Sequence, residues 1–557
     1  MRLAAIFSDH MVLQRDKTFF IFGETEKAVY VSVKIDDIEA DVFVSAGAFT
    51  IGLPKHAAGG PYVMTVRACV EKDAEPVFEK KIRDVYFGEV WIENGQSNIE
   101  FEIQNAEDGL KELEEANLPK VRYFKSIKTP VVDEAVIEAE AQQTWHQLKN
   151  GDFKDMSGVG YFFAKKLHAE LDVPIGIVDC YQGGTSISCW LAEERLAKYE
   201  EGRKYQEEFE ESIKGQTEEE YNRLLLTYNE MVEKHLTLAA EAKAKNPDIT
   251  PEELSAAAGD YPWPPPMGLK SAFRPSGLYH TMIERIAPFQ SRGLIYYQGE
   301  EDAVKYDRYE PLLKELMTEY RETFMDSGLP IAILQLPMFI GRGAEDKREW
   351  AYIRKAQDNA VKATEGALLV SLIDCGEYDN VHPVDKKTPG ERTAARILKD
   401  VYGLEAGGSE PELIEAAEIS DTSEVSIVSD GSVAAEGEQS GGYRYVLQFS
   451  NAGDGLITAD NKLIDLRKEL SSESSASAGD ASGADNAADH IFGFEICLKD
   501  SGEWTVPADV SIDNDKVIIG SSEELDGIRY GFFDYGKVNL YNKAMMPVRP
   551  FEYLVEL

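Results

Sequence analysis

The sequence predicts an α/β protein: a three-layer α/β/α domain on a parallel sheet, with β-sandwich-like segments at both ends of the chain. Three patterns carry that expectation. Short runs alternating apolar and polar residues fill positions 1–83, and similar runs return after about residue 405. Between them, apolar strands take turns with amphipathic helical patterns. Period-two alternation marks half-buried strands, and strand–helix alternation marks a parallel sheet covered on both faces. A chain of 557 residues exceeds one ordinary core, so a division into 1–83, 84–404 and 405–557 follows.

Within the first unit the strand patterns lie near 18–23, 29–35, 40–44 and 62–66, broken by Gly, Pro and Asp. The middle unit offers strands at 85–92, 121–126, 175–180, 293–297, 330–336 and 367–373, with helical patterns at 159–171, 309–324, 350–364 and 389–402. A Glu/Lys-rich helical stretch, ending in Pro262-Trp-Pro-Pro-Pro266, interrupts this alternation over about 191–266 and is expected to be an added helical hairpin with a solvated face. Strands are expected again at 425–428, 443–449, 493–498 and 516–519. The Ser/Ala/Gly/Asp-rich segment 471–489 is expected to be a mobile loop, because it has too little apolar surface to bury.

Charge narrows the partners. With 58 basic against 100 acidic residues the net charge is −42, a field that repels phosphate backbones and anionic membranes. Neither nucleic acid nor membrane is expected as a partner, and no apolar run approaches the ~20 residues of a membrane-spanning helix. The five cysteines form no CxxC pair, which fits reduced thiols. The chain reaches Ser8-Asp9-His10 before a signal-like apolar region accumulates. A cytoplasmic protein is the expectation, and the oligomeric state stays open.

Short polar segments follow four of the apolar strands, where ligands of open parallel sheets bind. Glu93-Asn94-Gly95-Gln96-Ser97-Asn98 places a serine at a Gly-containing strand-to-helix turn. Its hydroxyl would be presented at the sheet edge beside free helix N–H groups; a plain helix cap is the other reading. Asp379-Asn380-Val381-His382-Pro383 follows the strand at 367–373. A serine needs a base to take its proton, and imidazole needs a carboxylate to orient it; one loop could supply both, or His382 could be a bystander. Tyr296-Tyr297-Gln298-Gly299-Glu300-Glu301-Asp302 brings an amide that could donate to a developing oxyanion. In Gln182-Gly183-Gly184-Thr185-Ser186 the glycines allow close approach of a backbone N–H to the same oxygen. Aromatic residues near these segments (Trp91, Trp190, Tyr279, Tyr297) could stack on a sugar or simply pack in the core.

These segments resemble the sialate O-acetylesterase family of the SGNH hydrolase superfamily. Val90-Trp91 through Gly95-Gln96-Ser97-Asn98 resembles its nucleophile block, and Gly183-Gly184-Thr185 up to Trp190 its second block. Tyr297-Gln298-Gly299-Glu300 resembles a third block, with Tyr296 in place of tryptophan, and Asp379-x-x-His382-Pro383 the last. Phe7 to Arg15, Val538 to Asn542, Pro547 and Pro550-Phe551 extend the likeness to both ends.

The resemblance implies an SGNH (flavodoxin-like) hydrolase domain that removes acetyl groups from sugars, with 9-O-acetyl sialic acid as first substrate. Acetylated xylan, another acyl ester, or a glycan-binding protein with a dead site are the rivals. By resemblance Ser97 is the nucleophile, His382 the base and Asp379 its orienter, with Glu300 as fallback partner. Backbone N–H groups of Ser97 and Gly183 or Gly184, with the Gln298 amide, would form the oxyanion hole, supported by Gln96 and Asn98. Neither a metal nor an organic cofactor is expected. Ile99 stands where methionine is favoured, and Asp302 where asparagine is common; both bear on substrate preference.

Overall fold

A computed structural model describes residues 1–72, 74–246, 249–405, 407–419, 442–459, 490–499 and 501–555. The expected strand at 425–428 and the loop at 471–489 lie outside the described residues.

The central sheet runs in the order His146–Leu148, Leu118–Lys125, Ile175–Tyr181, Phe78–Gly95, Gly293–Tyr297, Ile331–Leu334, Ala367–Val370. Its neighbours pair in parallel except at the antiparallel edge strand His146–Leu148. Phe78–Gly95 lies in the middle, and the chain leaves it first to one side and later to the other. That reversal opens a crevice at the carboxyl ends of the central strands. The expected strands of the middle unit all appear, as do its helices, at Gly158–Leu171, Tyr309–Thr323, Glu349–Lys362 and Lys387–Asp400.

The boundary expected at 83/84 falls inside one continuous strand. In Phe78–Gly95 the first half alternates between buried and exposed, and the second half is buried throughout. The first half pairs with Gly59–Cys69 of the N-terminal segment, while the second half is the core strand of the parallel sheet. One hydrophobic core therefore runs from Phe7, Val12 and Phe87 to Trp91 and Ile177.

The inserted region folds into helices Glu193–Leu196, Glu200–Ser212, Glu218–Lys245 and Pro251–Ala258. The longest starts in a capping box between Thr217 and Glu220. Glu200–Ser212 is bound to the domain below it: the Tyr205 hydroxyl donates to Asp302, and Glu208 pairs with Lys305 at 2.8 Å and Arg308 at 2.6 Å.

After residue 405 the described strands form two four-stranded sheets and a two-stranded one around Leu447, Val517, Ile519 and Ile528, and this core takes in Met338 and Ile373 from the α/β region. Arg354, fully buried, donates to the carbonyls of Gly531 and Phe533. Arg348 pairs with Glu495 at 3.0 Å. The C-terminal β unit is thus docked on the α/β domain.

Candidate active site

Strand Phe78–Gly95 ends where only glycine fits. Gly95 has φ +135°, and a Cβ there would overlap the Tyr297 carbonyl of the neighbouring strand. Gln96 N donates to that same carbonyl at 3.1 Å, and helix Ser97–Glu100 begins at once. Ser97 is half-buried at the crevice. Its Oγ lies 2.7 Å from His382 Nε2, across 285 positions of sequence.

The imidazole is set up as a base. Burial, with the Lys386 ammonium nearby, pushes its pKa down to about 4, so at neutral pH the ring is uncharged and able to take the serine proton. The backbone N–H of His382 is held by the Asn380 side chain at 3.1 Å.

Asp379 does not hold the ring. Its carboxylate accepts from Arg342 N at 2.7 Å and Arg342 Nε at 2.9 Å. The cause is local: Asp379 has φ +56°, and its N–H donates to the Ile340 carbonyl, which turns the side chain toward the 340–342 loop. The fallback, Glu300, does not reach His382 either; its Oε1 accepts from Asn98 Nδ2 at 2.7 Å, and burial raises its pKa to about 7. Glu300 braces the Ser97–Asn98 turn instead.

Asn98 joins the two halves of the site. Its Nδ2 also donates to the Val381 carbonyl, next to His382, at 2.9 Å, and its Oδ1 accepts from Lys386 Nζ at 2.7 Å. Lys386 is only 2% exposed, lies over the Phe101 ring, and burial lowers its pKa to about 7. Sequence reasoning missed this lysine: in Asp385-Lys386-Lys387 it looks like any solvated charge.

The expected oxyanion donors are only partly free. Ser97 N–H sits in the first turn of its helix, where no intrahelical acceptor exists. Gly183 N–H is taken by the Glu100 carboxylate, which also pairs with Lys128. Gly184 N–H has no hydrogen-bond partner among the described residues. Gln298 is turned away from this role: its Nε2 donates to Thr185 O at 3.0 Å, Asp302 Oδ2 at 2.6 Å and Gln96 Oε1 at 3.1 Å. Its Oε1 accepts from Tyr296 and Tyr309, so the whole amide is spent on framework. Gln96 Oε1 additionally accepts from the N–H groups of Gly299 and Glu301, tying this turn to the residue before Ser97. Trp91, Trp190, Tyr279 and Tyr297 are all buried core residues.

Comparison with known proteins gives the same picture. A family model described as carbohydrate esterase, sialic acid-specific acetylesterase, matches residues 88–234 and 267–399. Sialate O-acetylesterase of Mus musculus is 24% identical over 451 residues, which cover 74% of this chain and 76% of that protein. The Homo sapiens sialate O-acetylesterase is 22% identical over 453 residues, covering 74% of each. The crystal structure of a carbohydrate acetylesterase from Xanthomonas citri superposes with a TM-score of 0.69 at 25% identity, covering 99% of both chains. A serine hydroxyl meets a neutral imidazole at the switch point of the sheet, and the two matched stretches hold one residue each; this chain is a carboxylic ester hydrolase and belongs to the carbohydrate esterase family of sialic acid-specific acetylesterases.

Proposed function

We propose that the protein hydrolyses O-acetyl esters on sugars through an acetyl-Ser97 intermediate. The observation that carries this reading is the 2.7 Å contact between Ser97 Oγ and the neutral His382 Nε2. His382 takes the Ser97 proton as Oγ bonds to the acetyl carbon, and the carbonyl oxygen becomes an oxyanion facing the Ser97 and Gly184 N–H groups. The C–O bond to the sugar then breaks, and His382 returns the proton to the leaving hydroxyl. Water repeats the sequence on the acetyl-enzyme and releases acetate. In this mechanism Asp379 secures the base loop through Arg342, and Asn98 with Lys386 holds nucleophile and base together.

Two sugars test the substrate: 9-O-acetyl sialic acid, named by the sequence resemblance, and acetylated xylan. Acetate release from either, abolished in Ser97→Ala, supports the esterase reading. A folded protein that releases no acetate from either and leaves p-nitrophenyl acetate intact would be a binding protein instead. The cytoplasmic setting belongs to the same proposal, and recovery of the protein from the exported fraction of its native cell would contradict it.

A further inference from the structure

Beside the catalytic pair lies a cleft of about 270 Å³, walled on one side by Tyr205, Glu208 and Phe209 of the inserted helix Glu200–Ser212. Its other walls are Trp263 and the turns that carry Gly184 and Glu301. Both turns adjoin the nucleophile. A Cβ on Gly183 would come 3.4 Å from Ser97 Cβ, and Glu301 N donates to Gln96, the residue before Ser97. A Cβ on Gly184 would overlap the Trp263 ring, so the indole edge rests on the backbone beside the serine.

Resting on the reading of a sugar acetylesterase, we propose that this cleft is a subsite for an uncharged sugar residue of the acetylated substrate, with Trp263 as its stacking platform. Trp263 is 47% exposed, although its ring is braced edge-on by Phe273 at 5.6 Å. A large aromatic surface left open in a concave site suits the C–H face of a pyranose ring. Ser186 and Ser212 place hydroxyl groups among the lining residues.

Charge selects the sugar. The carboxylates in the cleft are Glu208, already paired with Lys305 at 2.8 Å and Arg308 at 2.6 Å, and Glu301, whose pKa burial raises to about 7. An acidic sugar would find no cation among the lining residues that is not already paired with a carboxylate. A neutral sugar needs no such partner. The cleft is also held rigid, because Tyr205 is anchored on Asp302, which in turn accepts from Gln298 and Ile187 N. That anchor gives Asp302 a role that an asparagine would fill differently. Trp263 falls in 235–266, the gap between the two stretches matched by the family model, outside the core which that model describes.

The test compares wild type, Trp263→Ala and Trp263→Phe on acetylated xylo-oligosaccharide, 9-O-acetyl sialic acid and p-nitrophenyl acetate. The expected result is a loss of kcat/KM on the xylo-oligosaccharide, mainly through KM, about tenfold larger for Trp263→Ala than its loss on p-nitrophenyl acetate. Trp263→Phe should recover part of the difference. Equal losses on both substrates, or a wild-type preference for 9-O-acetyl sialic acid over the neutral sugar, would overturn the proposal. A binding arm is independent of catalysis: xylotriose titrated by calorimetry into Ser97→Ala, with and without Trp263→Ala. Binding that requires Trp263 supports the subsite even if no sugar ester is hydrolysed, and absence of binding to Ser97→Ala contradicts it.

Discussion

Lys386 Nζ donates to Asn98 Oδ1 at 2.7 Å, one residue from Ser97, while the same Asn98 side chain holds the Val381 carbonyl next to His382. Lys386 therefore helps to hold Ser97 and His382 together, and its charge adds to burial, the larger cause, in lowering the affinity of His382 for a proton. The base form of His382 exists above its pKa of about 4, so the acid limb of kcat/KM is expected near there. Replacing Lys386 with Met removes the positive charge that opposes protonation. The imidazole pKa then rises, and the acid limb moves to higher pH. A pH–rate profile of Lys386→Met shows this directly; an unmoved limb would leave Lys386 a purely structural residue.

Asp379 separates loop anchoring from direct orientation of the ring. A carboxylate that holds the catalytic imidazole is worth about 10⁴ in turnover. With its oxygens on Arg342, Asp379→Asn is expected to lower kcat by only about tenfold, and Arg342→Ala to have a similar effect. Steady-state kinetics decide it, since a loss near 10⁴ for Asp379→Asn alone would restore the direct role.

Gln298→Ala is expected to act on stability before chemistry. The substitution leaves the buried Tyr296 hydroxyl and the Thr185 carbonyl without the partner that Gln298 supplies. Unsatisfied buried groups of this kind cost about 1–3 kcal/mol each. Chemical denaturation should show a large drop in midpoint, whereas a normal midpoint with a hundredfold lower kcat would return Gln298 to the oxyanion hole.

A second buried group lies under the same strands. Glu93 is enclosed beside Asp179; burial, then the neighbouring charge, raises Glu93, and burial raises Asp179 to about 6. Both carboxyls bind protons more tightly folded than unfolded, so they favour the fold at low pH, and that contribution is lost as pH rises from about 4 through the raised folded values. Glu93→Gln removes the part due to Glu93. Its Tm is expected to exceed that of wild type at pH 8, with the gap closing toward pH 4; a lower Tm for the variant at pH 8 would contradict this.

The sequence disclosed the site wherever a strand pattern ran into a short polar turn. Ser97, Gly184, Gln298 and His382 each follow such a strand, and Ser97 meets His382 because the parallel sheet brings these ends together. What it concealed depended on distant partners. Lys386 is buried because Asn98 and Phe101 arrive from another strand end. Asp379 turns away because of a backbone bond to Ile340, which spacing alone does not reveal. Trp263, set among prolines, reads as a chain breaker until Gly184 is seen beneath it. The 83/84 boundary failed for a simpler reason: Phe78–Gly95 changes from alternating to continuous burial without breaking its backbone.

The central claim is that Ser97 carries the acetyl group. Intact-mass spectrometry after rapid acid quench, during turnover of an acetylated sugar or p-nitrophenyl acetate, tests it most directly. An acetyl adduct that maps to Ser97 is expected in wild type, with adduct and acetate release both gone in Ser97→Ala. Acetate release that persists in folded Ser97→Ala, or an adduct on another residue, would contradict it.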